Sequence, residues 1–351
     1  MPNKKLINIL FFIGRLFSPL YGLAMFTRAW LYSTGLKRSC KLNIPVISIG
    51  NLTMGGTGKT PMVMHVARLL IRHDKKPAIV SRGYGGRSKK AINIVSKGHH
   101  VLMNTAEAGD EPVLLASTLK IPVLTGPQRI LTGQYIAKNK MADILLMDDG
   151  YQHLALHRDI NIALFAAHEL LGNGWVFPGG PLREPISALK RAHCFVITGV
   201  TNSNKNKVNN FSKKMQQRYP AIPMFKGSYQ AQAIINQQNT SQKLDYLKGL
   251  PLLAFCGIAK PHSFFDILDA NPKISTKLRQ IFADHHPYQE SDITNLCQKA
   301  KKIGCKAMIT TEKDMVKLKD IDIQMPIWAL QVELILEPEF DTFLLKMLAG
   351  K

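Results

Sequence analysis

The chain is poor in cysteine and in acidic residues, and it has no uninterrupted apolar run long enough to cross a bilayer. Its five cysteines, Cys40, Cys194, Cys256, Cys297 and Cys305, are scattered over 351 residues with no C-x-x-C pair. That spacing argues against a disulfide framework or a structural zinc site and fits a reducing compartment. Asp and Glu number 24 against 46 Lys and Arg, a formal charge of +22. Such an excess draws anionic partners: phosphates, acidic lipid headgroups or nucleic acid. No RGG tract, zinc-finger spacing or RNP-type aromatic motif is present, which sets nucleic acid aside. No repeat of solenoid period and no segment suited to an obligate protein partner stands out.

What is present begins with an apolar, basic N-terminus. Residues 6–31 are rich in Leu, Ile, Phe, Tyr and Trp, interrupted by Arg15 and Arg28, and no acidic residue occurs before Asp74. Lys4, Lys5, Lys37, Arg38 and Lys41 add positive charge. The stretch between the two arginines falls short of the roughly 20 residues a spanning helix needs, and Pro19 should end or kink the first helix. Aromatic bulk beside basic residues is the composition of a helix lying in the interface of an anionic leaflet. A spanning anchor and a helix packed on the domain are the competing readings. A secretory signal fits least, because no small-residue cleavage site follows.

At 46% hydrophobic, the chain can bury a core of two-domain size. Helix-like and strand-like segments alternate, predicting an α/β fold with a largely parallel sheet. Residues 44–49 (IPVISI) read as a buried strand running into Gly50–Pro61 (GNLTMGGTGKTP) and then into a helix, MVMHVARLLIRH. Strand, glycine-rich turn, Lys-Thr and helix are the context of a phosphate-binding loop. Backbone amides from Thr53 through Met54, Gly55, Gly56, Thr57 and Gly58 to Lys59 and Thr60 are the candidate nucleotide contacts. Lys59 would reach the β- and γ-phosphates, and the Thr60 hydroxyl would face Mg²⁺. Thr53 stands where the common pattern has glycine. Met54 stands where partition-type ATPases carry lysine, which counts against that group.

A carboxylate at a neighbouring strand end completes such a site. Residues 143–147 (DILLM) form that predicted strand, followed by Asp148 and Asp149 of DDGYQH. Three further segments suit an acceptor: GDEP, with Asp110 and Glu111 opening a helix; SRGYGG, with Arg82; and ADHHPY, with His285 and His286. Helix capping explains Asp110 alone, an ordinary loop explains SRGYGG alone, and a His-His pair is weak evidence by itself.

Taken in order, GNLTMGGTGKTP, SRGYGG, GDEP, DDGYQH, PGGPLREP (178–185), FCGIAKPHSFF (255–265), ADHHPY (283–288) and TTEKDMVKL (310–318) give the chain a resemblance to the tetraacyldisaccharide 4'-kinases, lipid A kinases of Gram-negative bacteria. The resemblance covers nearly the whole chain, and that family shares the Thr53 departure. It implies transfer of the γ-phosphate of ATP, with Mg²⁺, to the 4'-hydroxyl of a tetraacylated glucosamine disaccharide 1-phosphate. It also implies a peripheral protein on the cytoplasmic face of the inner membrane. By that resemblance Asp110 pairs with His285 or His286 to activate the hydroxyl, and Glu111, Asp148, Asp149 and Thr60 fall at magnesium positions. Lys59 and Thr60 fall at phosphate contacts. Arg82, Gln128, Arg129 and Arg183 are candidates for holding the acceptor's 1-phosphate.

The expected organisation is an interfacial helix over residues 1–35, a phosphate-binding α/β domain over 36–218, a polar linker or hairpin over 219–250, and a smaller α/β domain over 251–351. Because ADHHPY lies in the last segment and GDEP in the second, catalysis requires the two halves to approach each other. The rival readings are a nucleotide-driven switch without an acceptor and a basic nucleic-acid-binding ATPase.

Overall fold

A computed structural model describes residues 4–350, with side chains from Ile9 onward. The Lys4 and Lys5 side chains, assigned above to the basic N-terminus, lie outside that range. Two helices come first, α1 (Lys4–Gly14) and α2 (Ser18–Ser33). The break falls at residues 15–17, and Pro19 sits in the first turn of α2, where its missing N–H costs nothing.

The first half then runs β1 (Val46–Asn51), α3 (Lys59–Arg72), β2 (Pro77–Ser81), β3 (Asn93–Lys97), α4 (Thr105–Ala108), α5 (Asp110–Leu119), β4 (Pro122–Thr125), α6 (Arg129–Lys138), β5 (Ile144–Asp148), β6 (Ile160–Ala166), β7 (Cys194–Thr198) and α7 (Lys205–Arg218). The strands β1, β2, β5, β6 and β7 are buried at every residue. That is why they read as continuous apolar runs rather than as alternating patterns. A long strand β8 (Met224–Ile235) and a short β9 (Ser241–Gln242) follow. After them come β10 (Pro251–Cys256), α8 (Pro261–Asp269), β11 (Ser275–Ile281), α9 (Glu290–Lys302), β12 (Ala307–Thr311), α10 (Glu312–Met315), β13 (Ile327–Leu336) and α11 (Glu339–Ala349).

Among the described residues these strands form one sheet in the order β11-β10-β12-β13-β8-β7-β6-β1-β5-β2-β4-β3, with β9 paired to β8. Neighbours are parallel except β13 with β8, β3 with β4, and β8 with β9. The α/β fold with a largely parallel sheet expected from the sequence is the fold observed.

The segment expected as a polar linker is different. Met224–Lys226 of β8 pair with β7, and Gly227–Ile235 pair with β13, so one continuous strand belongs to both halves. The 241–242 stretch does fold back as a hairpin. The chain end also crosses over. Phe340 and Leu344 of α11 are fully buried in the core that holds Met62, Val66 and Leu70 of α3. Phe340 stacks edge-on against Phe225, centroids 5.4 Å apart, and Asp341 accepts from His65 of α3 at 2.7 Å. The last helix of the sequence therefore completes the first core.

Helices α1 and α2 dock on one face through a small contact. The Ser18 hydroxyl, buried, donates to Val176 O and accepts from Gly179 N, both at 2.8 Å. Tyr21 donates to Arg183 O at 3.1 Å, and Arg28 donates to Gln152 O at 3.0 Å. On the outer side Leu16 is 79% and Leu20 69% exposed, with Phe12, Phe17, Leu23, Phe26 and Trp30 also open. Among the described residues no helix is long and apolar enough to cross a membrane.

Truncating Phe340 to Ala should cost about 3–5 kcal/mol, because it opens a cavity in the core of the other half. Urea unfolding followed by circular dichroism checks it. An unchanged midpoint would place α11 outside the cooperative core.

Candidate active site

Strand β1 ends between β5 and β6, so the turn after it emerges at the carboxyl edge of the sheet, beside the end of β5. Leu52–Met54 first run alongside residues 181–183: Arg183 N donates to Leu52 O and Met54 N to Pro181 O. The Met54 amide is thereby consumed, and with it Met54 leaves the set of expected backbone phosphate donors. Thr53, 2% exposed, hydrogen-bonds Asn51 through its hydroxyl at 3.1 Å and lines the back of the turn. The turn opens from Gly55 onward. Gly58 has φ 76° and ends it as the residue before α3; a Cβ there would overlap the Tyr229 hydroxyl, so only glycine fits. Thr57 is held by Thr198, whose hydroxyl donates to its carbonyl at 2.9 Å.

Lys59 and Thr60 are the first two residues of α3. Lys59 Nζ lies 3.6 Å from Asp149 Oδ1 and 3.4 Å from Asn51 Oδ1. The turn is thus curled, and it lies within ion-pair reach of the DDGYQH acids. Asp148 ends β5 and is buried, accepting from the Ser81 hydroxyl at 3.2 Å, while its Oδ1 has no hydrogen-bond partner. Burial, with Glu111 and Asp149 adding negative charge nearby, raises its carboxyl to about 7. Asp149 behaves oppositely: burial pushes it up, but Lys59 and Arg183 outweigh burial and hold it below the ordinary value. Its backbone takes φ 49°, a left-handed conformation that costs on the order of 1 kcal/mol and clusters at functional sites.

The opposite wall comes from the second half. His285 Nδ1 lies 3.0 and 3.1 Å from the two Asp110 carboxylate oxygens, so the halves already meet. His285 also has a left-handed backbone, φ 58°, with its amide donating to Gly257 O, and that turn aims the ring across the cleft. His286 points away, stacked on Phe282 and 2.9 Å from Asp292 Oδ2. Geometry therefore selects His285 from the two histidines the sequence left open. Burial raises Asp110, yet the His285 hydrogen bond and the Lys313 and Lys317 charges together bring it below its ordinary value. His285 is raised, chiefly by the Asp110 hydrogen bond. Tyr84 of SRGYGG lies over the His285 ring at 5.6 Å. Gly109 lets that loop approach, since a Cβ there would overlap Tyr84 O.

Lys313, in the TTEKDMVKL motif, is a residue of this wall that the sequence motifs alone do not mark. Its ammonium reaches Glu111 at 3.1 Å, His285 Nε2 at 3.3 Å and Asp110 at 3.8 Å. A lysine only donates, so the Nε2 it faces is the acceptor, and the neutral ring carries its proton on Nδ1, toward Asp110. Burial lowers Lys313, but the Glu111 and Asp110 charges outweigh burial and raise it. Its position at a strand end was the available signal.

Three of the candidates for the acceptor's phosphate lie near one another, since Arg129 feels the charges of both Arg82 and Arg183. Arg183 is committed to Asp149, both oxygens within 3.1 Å. Arg129 is 8% exposed with an unpartnered Nε, facing the Asp149 and Asp148 charges. Arg82 is exposed beyond β2, and Gln128 is exposed ahead of α6. Gln152 and His153 were left unassigned; the Gln152 side chain donates to Asn51 O at 2.9 Å, and His153 is pushed down to about 4 by burial and by Arg129, Arg158 and Arg28.

Residues 10–349 match the family described as tetraacyldisaccharide-1-P 4'-kinase. A relative in Desulfotalea psychrophila named tetraacyldisaccharide 4'-kinase is 39% identical over 344 residues, 98% of each chain. One of the same name in Syntrophus aciditrophicus is 39% identical, covering 95% of this chain and 91% of its own. A crystal structure of LpxK from Aquifex aeolicus, described as an "apo" form in complex with ATP, superposes with TM-score 0.75 at 30% identity, over 95% of this chain and 97% of that one. With the curled phosphate turn and the paired carboxylates already in place, these matches assign the chain: it belongs to the tetraacyldisaccharide-1-P 4'-kinase family and is a phosphotransferase.

Proposed function

We propose that the protein transfers the γ-phosphate of ATP, with Mg²⁺, to the 4'-hydroxyl of a tetraacylated glucosamine disaccharide 1-phosphate in lipid A biosynthesis. We propose further that it works as a peripheral protein on the cytoplasmic face of the inner membrane. The observation that carries this reading is the Asp110–His285 pair reaching across from one half of the fold to the other, beside the turn that bears Lys59. A switch ATPase has no need of that pair.

Backbone amides from Gly55 to Thr60 and the Lys59 ammonium would cup the triphosphate, aided by the N-terminal end of α3. Asp110, ionised at neutral pH, takes the proton of the attacking hydroxyl, while His285 Nδ1–H orients the carboxylate and spreads the charge. Tyr84 would cover the acceptor sugar.

The residues around Asp148 suit a divalent cation. An unpartnered buried carboxylate oxygen with Glu111 and Asp149 nearby is costly unless a cation joins them. Among the described residues no group of three or more His, Cys, Asp or Glu side chains forms a ready-made metal cage. Magnesium needs only a carboxylate or two and fills the rest of its shell with water and phosphate oxygens. Of the candidates Asp148, Glu111, Asp149 and the Thr60 hydroxyl, Asp148 with the hydroxyl and at most one further carboxylate would hold it, and it would neutralise charge on the transferring phosphoryl group.

For localisation, the support is the open apolar side of α1 and α2 next to Arg15 and Arg28, a surface of the kind that enters the interface of an anionic leaflet.

Three outcomes are expected. With radiolabelled ATP and detergent-dispersed disaccharide precursor, label should enter the extracted lipid, and Asp110→Asn should lower kcat about 10²–10⁴-fold with little change in ATP KM. Label that stays in the aqueous phase for the native protein would sink the acceptor assignment.

A second concerns pH. Asp148 binds its proton more tightly folded than unfolded, so its contribution to stability is intact below the ordinary carboxyl range. It is lost progressively up to about 7 and stays lost above, at most roughly 4 kcal/mol in metal-free protein. The melting temperature of the native protein, taken relative to that of Asp148→Asn, should therefore fall between pH 4 and pH 8, the comparison removing the opposite trend from His153. An unchanged difference between the two proteins would contradict the raised carboxyl.

Third, Leu16→Glu with Leu20→Glu should greatly reduce recovery with anionic vesicles in a flotation gradient. Undiminished flotation would remove the membrane assignment from these helices.

A further inference from the structure

Apart from Gly257, whose carbonyl turns His285, the FCGIAKPHSFF segment has no task in the site above. It joins β10 to α8, and it lies against the glycines of the phosphate turn. A Cβ built on Gly56 would be 3.8 Å from Ala259 Cβ, and one built on Gly55 would be 4.0 Å from Lys260 Cε. The Lys260 chain therefore crosses the mouth of the turn from the opposite half. Its ammonium does not point into solvent. It is bonded at 2.7 Å to Glu169 Oε2, in the turn just past β6, the strand beside β1. The two side chains are 24% and 27% exposed, so this pair is neither a free surface contact nor a sealed internal one.

The electrostatics of the turn explain why such a pair would be kept. Lys59 already places one positive charge in the cup, countered by Asp149 at 3.6 Å. A second ammonium over Gly55 adds repulsion unless an anion accompanies it, and Glu169 is that anion. A bound triphosphate brings several negative charges into the same space, more than one lysine neutralises. It would then compete with Glu169 for the Lys260 ammonium. Four rotatable carbons let Lys260 swing between the two without backbone movement.

We propose that Lys260 is a nucleotide contact supplied by the second half of the molecule, held in reserve by Glu169 and released to the terminal phosphates when nucleotide binds. This rests on the reading of the Gly55–Thr60 turn as the triphosphate site. In this arrangement Glu169 opposes nucleotide binding and Lys260 favours it, although the two are partners in one ion pair. A pair that merely latched the halves together would behave otherwise, since removal of either member would act in the same direction.

The test is Mg·ATP affinity by isothermal titration on full-length protein in detergent. Lys260→Gln should weaken binding about fivefold or more, and Glu169→Gln should tighten it about two- to fivefold, the range expected for freeing one partly exposed ion pair. The double variant should resemble Lys260→Gln alone, and Lys260→Arg should stay near the native value. Both single variants weakening, or Glu169→Gln leaving affinity unchanged, would overturn the proposal in favour of a structural latch. Lys59→Ala, measured alongside, keeps the two claims apart. If it bound nucleotide as tightly as the native protein, the turn itself would be misassigned. If it lost binding while the Lys260 and Glu169 variants moved together, only the present inference would fall.

Discussion

The cross-cleft hydrogen bond between Asp110 and His285 is the contact on which the proposed chemistry depends. Each partner is brought to it by a separate piece of backbone engineering. Asp110 is the first residue of α5, set there by Gly109 at φ 90°. His285 is turned by its own left-handed backbone and by the Gly257 carbonyl. Neither half alone carries both groups, so the geometry of the pair is set by how the halves are joined. That joint is β8, hydrogen-bonded to β7 at one end and to β13 at the other, with α11 packed back across it. A shared strand makes the two halves one ladder rather than two bodies on a string.

The carboxylates near the phosphate turn divide by environment rather than by type. Asp149 is stabilised as an anion by Lys59 and Arg183, whereas its neighbour Asp148 is destabilised by burial and by like charge. One sequence step thus separates a charge that is already satisfied from one that asks for a cation. Lys313 does the corresponding work at the other wall, where it stands between Glu111 and the His285 ring.

Much of this was legible in the sequence, because the parallel strands are buried on both sides and so read as plain apolar runs. The strands 44–49 and 143–147 were each placed to within two residues. β8 was not, and the reason is physical. Its burial alternates along part of its length, and the outward positions carry Gln230 and Gln232, so a central strand looked like a linker. The candidate site was legible as motifs but not as directions. His285 and His286 are chemically identical in sequence; a positive φ separates them. Met54 looked like a phosphate donor until its amide was found on Pro181, a contact 127 residues away along the chain that no local pattern encodes. Arg183, an expected contact for an external anion, pairs here with Asp149, and nothing in PGGPLREP says which acid its loop will face.

The docking of α1 and α2 has a consequence of height. Ser18 is fastened to the 176–179 loop, Tyr21 to the carbonyl of Arg183, and Arg28 to the carbonyl of Gln152. Gln152 lies three residues past Asp149, and the Arg183 side chain bonds the Asp149 carboxylate. Where the opposite, apolar side of these helices rests in a leaflet, the phosphoryl-transfer centre is suspended directly above the same patch of lipid. The proposed acceptor, anchored by its acyl chains, would then have no need to leave the bilayer. Its sugar has only to rise to the level of the headgroups, and the cost of lifting hydrocarbon into water is never incurred.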